Sequence, residues 1–165
     1  MEAAIETIPQ EQPTLQNVTK LDALEVEMFK HPQVHCPLVH RFTPGLYIRE
    51  IFMPAGSLIT SARHLTCHPF VVSKGDVSVY VEGVEVDRYK APYTGVTQPG
   101  TRRLLYIHED TVWTTFHVTE KTDPDEIVME IADVEPNPLL TKDEYDRAGW
   151  RAIKSEPLIE EALCP

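Results

Sequence analysis

Residues Gly56–Val79 read GSLITSARHLTCHPFVVSKGDVSV. β-Branched and aromatic side chains cluster here in short runs cut by Gly, Pro and Asp, the composition of strands separated by tight turns. His64 and His68 stand four residues apart, and in an extended strand such residues point to the same side of a sheet. Working outward, the same texture recurs in LYIREIFM (46–53), SLIT (57–60), HPFVVS (68–73), DVSVYVE (76–82), VEVDRYK (84–90), TRRLLYIH (101–108) and TVWTTFHV (111–118). Seven runs in so short a span predict a compact antiparallel barrel or sandwich. Glu82-Gly83 is the expected hairpin turn between two of them.

The flanks read differently. Residues 1–18 are polar and proline-interrupted, and predict an extended arm. A short helix is expected over Thr19 to Phe29, where Leu21, Leu24, Val26 and Met28 form a loose apolar face. After Glu120, Asp123 is placed to cap a helix with Pro124 at its first position, running through DEIVMEIAD. A second helix is expected from Thr141, with Glu144 completing a capping box and Tyr145, Ala148 and Trp150 near one face. Both helices are expected outside the barrel, as lids on exposed sheet.

The chain has 165 residues, enough for one core, with 42% hydrophobic and 25% charged residues, values ordinary for soluble domains. No apolar run approaches the length that spans a bilayer, and the acidic N-terminus lacks the basic start and apolar stretch of a secretory signal, so a cytoplasmic, non-membrane protein is expected. The net charge of −11 opposes attraction to phosphate backbones, which argues against nucleic acid as a partner. Cys36, Cys67 and Cys164 show no metal or disulfide spacing and read as free thiols, Cys67 as a small buried one.

The stretch around the histidines resembles the first motif of the cupin superfamily, the RmlC-like jelly-roll barrels. That motif is Gly, five residues, His-x-His, three or four residues, Glu, six residues, Gly. Gly56, Ala62, His64, His68 and Gly75 reproduce the spacing, with Ala62 in place of the first His and His68 in place of the Glu. The best match to the second motif runs from Pro92 through Gln98-Pro99-Gly100 to Arg103 and Ile107, and only Gly100 matches outright. The final strand, Glu109 to His117, is also similar to that of small phage-encoded cupin-like proteins. The resemblance implies a mainly β protein: an N-terminal arm and short helix at 1–41, a single antiparallel cupin barrel at 42–120, and a C-terminal helical extension at 121–165. Since cupins commonly pair through their sheets, it also implies a homodimer.

For the site, the resemblance implies a pocket lined by the motif positions. Typical cupins hold iron, manganese, nickel or zinc there and run oxygenase, isomerase or decarboxylase chemistry. Of the four usual ligands this chain keeps His64, exchanges one for His68, has a methyl group at Ala62, and has Arg103, which stays protonated and cannot ligate. His117, or less readily His108, is the candidate third ligand; His64, His68 and His117 would make a three-histidine site with open positions. A different reading starts from Arg103. A guanidinium aimed into a small pocket suits carboxylate or phosphate. With His64 and His68 as donors and Tyr80, Tyr93 or Tyr106 as flat walls, it describes a site for an anionic small molecule such as a sugar nucleotide or an organic acid. The alternative for Arg103 is a surface position like that of its neighbour Arg102, because only one of the two can face inward. If His117 faces the pocket, Trp113 and Thr115 do too. His31, His35 and His40 fall among prolines and do not suggest a second metal site. A third class, a non-enzymatic accessory or interaction protein of viral type, stays open because fold does not fix function.

Overall fold

The computed structural model describes residues 18–81, 84, 86–134, 137–141, 143–144 and 152–155. Ten strands and two helices follow in the order α1 (Lys20–Met28), β1 (Leu38–Thr43), β2 (Leu46–Met53), β3 (Ser57–Thr60), β4 (Arg63–His64), β5 (His68–Val81), β6 (Asp87–Lys90), β7 (Tyr93–Thr97), β8 (Arg103–Val118), α2 (Pro124–Ile131), β9 (Ala132–Asp133) and β10 (Ala152–Lys154). Eight of the strands form one curled antiparallel sheet, and β4 with β9 form a separate pair. The architecture is therefore the mainly β, antiparallel barrel that the turn-bounded runs predict.

Two long strands carry the barrel. β8 pairs with β5 along most of its length on one side, and with β3 and then β2 on the other. β5 in turn pairs with β7 through its first half and β6 through its second. The sequence reading divided each long strand in two. The division in β5 has a physical cause: its ladder to β8 slips between Val72 and Val77. Before the slip His68, Phe70 and Val72 are buried, after it Val77 and Val79, so the inward parity changes from even to odd across a bulge. Gly75, within the bulge, has φ +101°, and a Cβ there would collide with Thr111, 2.7 Å from its Cα, and stand 2.8 Å from the Asp110 carbonyl. Only glycine lets the two strands approach so closely at that bend.

The core inside the barrel is made of Met53, Phe70, Val72, Val77, Val79, Ile107 and Trp113. A second cluster joins Tyr47 to Ile127, Ile131 and Ala132, with Ala62 packed against it, so α2 closes over one end of the barrel. Asp123 caps that helix and Pro124 opens it, as expected. The helix stops at Ile131 because Ala132 and Asp133 turn extended and pair with β4.

Helix α1 forms where expected, with a capping box between Thr19 and Asp22. Its buried face carries charge as well as Leu21 and Met28: Asp22 and Glu25 are buried with Arg102, whose Nη1 bonds Asp22 and whose Nη2 lies 2.7 Å from Glu25. Asn137 Nδ2 donates to the Asp22 carbonyl and to Glu25 Oε2. Arg102 is thus a buried clamp beneath α1, which corrects its reading as a surface residue.

The C-terminal region departs from a purely helical extension, since β10 pairs with β3 and buries Ala152 and Ile153. Thr141 and Glu144 exchange the hydrogen bonds of the expected capping box. The remainder of that helix, the arm before residue 18, the Glu82-Gly83 turn and Cys164 lie outside the described residues. β1 begins at Leu38, ahead of the expected barrel boundary at residue 42. Among the described residues no helix is long and apolar enough to cross a membrane.

Candidate functional site

A cavity of about 410 Å³ opens at the α2 end of the barrel. Strand parity supplies its walls. On β2, Tyr47, Arg49, Ile51 and Met53 share the inward side, and on β8 Arg103, Leu105, Trp113, Thr115 and His117 do. Thr60 enters from β3, Ala62 from the link that follows it, His64 from β4, and Pro124, Val128 and Ile131 from α2.

The three histidines converge. Ring centroids are 4.8 Å apart for His64 and His68, and 4.3 Å for His68 and His117. The route to His64 is not the single strand that its spacing predicts: β4 and β5 are separate, and the rings meet across the turn between them. That turn leaves Cys67 exposed, which corrects its reading as a buried thiol. His64 is fixed by its backbone, donating to the Thr101 carbonyl at 2.8 Å and accepting from Gly100 at 2.7 Å. His68 does not itself line the cavity; its Nδ1 lies 3.1 Å from the Thr66 carbonyl.

Arg103 is 7% exposed. Its Nη2 donates to Thr97 Oγ1 at 2.9 Å, and its guanidinium lies 5.6 Å from the Phe70 ring centre and 5.8 Å from that of Trp113. These contacts hold the cation in place while its Nε, facing no protein acceptor, is left without a partner. Arg49 is a second inward cation that the sequence reading passed over. The signal was present, because Arg49 shares parity with Tyr47 and Met53 in LYIREIFM. His40 is a further addition at the mouth, its Nδ1 2.6 Å from the Tyr47 hydroxyl.

Tyr80 and Tyr106 do not reach the cavity. Tyr106 is three residues from Arg103 on one strand, so the pleat sends it to the other face, where it packs edge-on against His108. His108 bonds Ser78 Oγ on that outer face at 2.8 Å, away from the other histidines. Tyr80 is moved outward by the parity change at the β5 bulge. Tyr93 stacks on Tyr89 at 4.1 Å, both half-buried against the core and away from the cavity, so the aromatic surface of the cavity comes from Trp113 and Tyr47.

Burial, then neighbouring His68, Arg103, His117 and Arg49, push the His64 pKa from 6.5 down to about 3. Burial, His68 and Arg49 bring His117 to about 3 as well. Burial also lowers His68, against the bond to Thr66, and both arginines add to it. At neutral pH the site therefore holds neutral imidazoles beside the guanidiniums of Arg49 and Arg103. Stability should follow. An unfolded histidine binds its proton near 6.5 and these folded ones only near 3, so the unfolded state takes up protons first as pH falls. The contribution is intact above about 6.5 and is lost between there and about 3. Urea midpoints measured down this range should fall more steeply for the wild type than for a His64→Gln/His117→Gln double variant; parallel profiles would contradict the buried-neutral assignment.

The metal that the motif resemblance implies can be tested against these residues. His64 Nδ1, His68 Nε2 and His117 Nδ1 are buried without hydrogen-bond partners, as ligating nitrogens would be. Against this, no group of three or more His, Cys, Asp or Glu among the described residues is arranged to hold a metal ion. Ala62 is used in packing against α2, and two guanidinium charges face the same space. The two charges oppose a divalent cation at this donor set, while the three unpartnered nitrogens favour one.

No family model matches the chain, and no curated protein matches it. The glycines of the motif spacing nevertheless sit at turns that demand them, with φ of 71° at Gly56, 101° at Gly75 and 84° at Gly100. The strand layout is similar to that of solved cupin barrels. Solved structures with a similar strand layout include an RmlC-like cupin with a double-stranded β-helix from Methanocaldococcus jannaschii, 13% identical over 56% of this chain and 85% of that one, TM-score 0.44. The cupin domain of Cnp3 from Schizosaccharomyces pombe is 18% identical over 58% of this chain and 66% of that one, TM-score 0.44. A cupin-2 domain protein from Shewanella frigidimarina is 10% identical over 63% of this chain and 97% of that one, TM-score 0.42. These likenesses are of strand layout alone.

Proposed function

We propose that this protein binds a small organic anion inside the barrel, held by Arg103 and Arg49 and hydrogen-bonded by the neutral histidines. The observation that carries this reading is the pair of inward guanidiniums on one small, largely apolar cavity. Arg103 is buried with its Nε unpartnered, and an anionic ligand supplies a counter-charge together with charge-assisted hydrogen bonds. Two carboxylates also line the cavity, the exposed Asp125 of α2 and the half-buried Asp133 of β9.

If the site is catalytic, His64 and His117 would serve as neutral hydrogen-bond partners and Arg103 would orient the substrate or stabilise developing negative charge. The test is a thermal-shift and calorimetric screen of carboxylates and phosphates on the wild type, Arg103→Ala and Arg103→Lys. Losing a charge-assisted contact worth about 1.5–3 kcal/mol corresponds to about a tenfold to hundredfold loss of affinity in Arg103→Ala, with partial retention in the lysine variant. Equal responses from wild type and Arg103→Ala would count against the reading.

The second reading, a divalent metal (zinc, iron, manganese or nickel) on His64, His68 and His117, is favoured by their three unpartnered nitrogens. Stoichiometric metal in protein purified without an affinity tag, with a metal-dependent thermal shift, would establish it over the anion site. A homodimer through the edge of β1 that no described strand pairs, where Val39 and Phe42 are exposed, is part of the same proposal and is read by light scattering.

A further inference from the structure

We infer that the ligand is a 2-hydroxy monocarboxylate with an apolar side chain, its carboxylate on Arg103, its hydroxyl on His64 and its side chain against Leu105, Ile59 and Trp113. This deepens the anion reading and rests on it.

The cavity has one seat for a negative group. Arg103 is buried, its Nη2 is used on Thr97, and its Nε has no partner. Its neighbours are Thr97, Phe70, Trp113 and Tyr89, none of them a carboxylate. Arg49 lines the same cavity but is already engaged within the protein. Asp125 and Asp133 line it too, so a second negative charge on the ligand would meet like charge.

Strand pairing sets His64 beside that seat. Arg103 N donates to Ser61 Oγ at 2.9 Å, and its carbonyl accepts from Ser61 N at 2.9 Å. His64 N donates to the carbonyl of Thr101, two residues before Arg103, at 2.8 Å. The segment from Ser61 to His64 therefore runs alongside Thr101 to Arg103, and His64 and Arg103 both line the cavity. His64 Nδ1 is buried without a hydrogen-bond partner. Leaving it so is costly. A hydroxyl partners that nitrogen in either protonation state, because it both donates and accepts. On the carbon next to the carboxylate, it reaches the residue beside Arg103.

The rest of the molecule meets hydrocarbon. Leu105 follows Arg103 by two residues on the inward side of β8, and Ile59 stands opposite Leu105 on β3. Trp113 lies against the guanidinium itself. Val128 and Ile131 line the space from α2. An apolar wall thus begins directly beside the charged seat, and each methylene buried there adds about fourfold in affinity. The volume of about 410 Å³ is near the small end of ligand pockets, which suits a short branched or cyclic side chain better than a nucleotide.

The experiment is isothermal titration of the wild type with 2-hydroxy-4-methylpentanoate and its matched probes. 4-Methylpentanoate lacks the hydroxyl, lactate lacks the apolar branch, malate carries a carboxylate in place of the isopropyl group, and the methyl ester lacks the charge. Inorganic phosphate is a further arm, and every titration is repeated on protein treated with EDTA. The parent acid should bind about tenfold or more tighter than lactate, malate or phosphate, and about threefold or more tighter than 4-methylpentanoate, with or without EDTA. Arg103→Met should lose about tenfold or more, Arg103→Lys less, and His64→Leu should bring the parent acid down to the affinity of 4-methylpentanoate. Near-ultraviolet circular dichroism shows that each variant is folded, and the wild-type series decides the matter without them. Lactate, malate or 4-methylpentanoate binding as tightly as the parent acid overturns this inference and leaves the anion reading intact, as does phosphate binding tighter than every hydroxy acid. Equal binding of the methyl ester, loss of binding after EDTA, or no binding of any carboxylate or phosphate overturns both.

Discussion

Arg102→Ala should cost about 3–5 kcal/mol of folding stability, the range for breaking a buried ion pair by removing one partner. The reason is the company it leaves. Asp22 and Glu25 are 1% and 0% exposed. Burial alone would raise the Asp22 pKa, and the bonds from Arg102 and Thr19 hold it below its ordinary 3.8. Without the arginine, the two buried carboxylates lose their shared cation and keep neutral donors, Thr19 N–H to Asp22 and Asn137 Nδ2 to Glu25. Urea denaturation near neutral pH reads the loss. The sign with pH is also determined. In the wild type the Asp22 contribution is present above 3.8 and is lost as pH falls through the lowered folded value. In the variant burial dominates, so protonation relieves the strain and the deficit should shrink as pH approaches the carboxylate range. Adding Asp22→Asn and Glu25→Gln to Arg102→Ala should recover part of the loss. A deficit under about 1 kcal/mol, of the order seen for exposed pairs, would show that the clamp is not buried in solution.

Gly75→Ala is the second large effect. Left-handed backbone costs a residue with a Cβ about 1–2 kcal/mol, and overpacking adds about 1–3 kcal/mol, for a total of about 2–5 kcal/mol. The overlap is with Thr111 and the Asp110 carbonyl, at the backbone of β8, so no side-chain rotation relieves it. Gly100→Ala is the internal control: its φ is +84° but nothing lies within 4 Å of its added Cβ. It should lose the conformational part alone. Equal losses at the two positions would mean that the close approach of β5 and β8 is not as described.

These two sites separate what strand texture predicts from what the bend imposes. The runs between Leu46 and Val118 announce an antiparallel barrel because turn residues cut β-branched sequence at short intervals, a local property of the chain. The motif spacing from Gly56 to Gly75 also places His64 and His68 together, although they meet across a turn. Arg49 was equally legible: every second residue of β2 from Tyr47 faces inward. Tyr106 could have been excluded by the same rule, since it and Arg103 differ in parity on a single strand.

Tyr80 could not have been excluded that way. Counting from His68, an even parity puts it inside, and only the slipped ladder at Gly75 sends it out. Arg102 is similar: nothing local distinguishes it from Arg103 as a surface cation, because its partners lie in α1, some 80 residues earlier in the chain. The sequence by itself therefore determined the barrel, the turn glycines and the convergence of His64 with His68, all consequences of short-range pattern. The tertiary structure decided which face each strand presents after its bulge, which helix lies over which charge, and that two guanidiniums share one cavity. Those depend on contacts between segments far apart in the chain, and no period in the sequence encodes them.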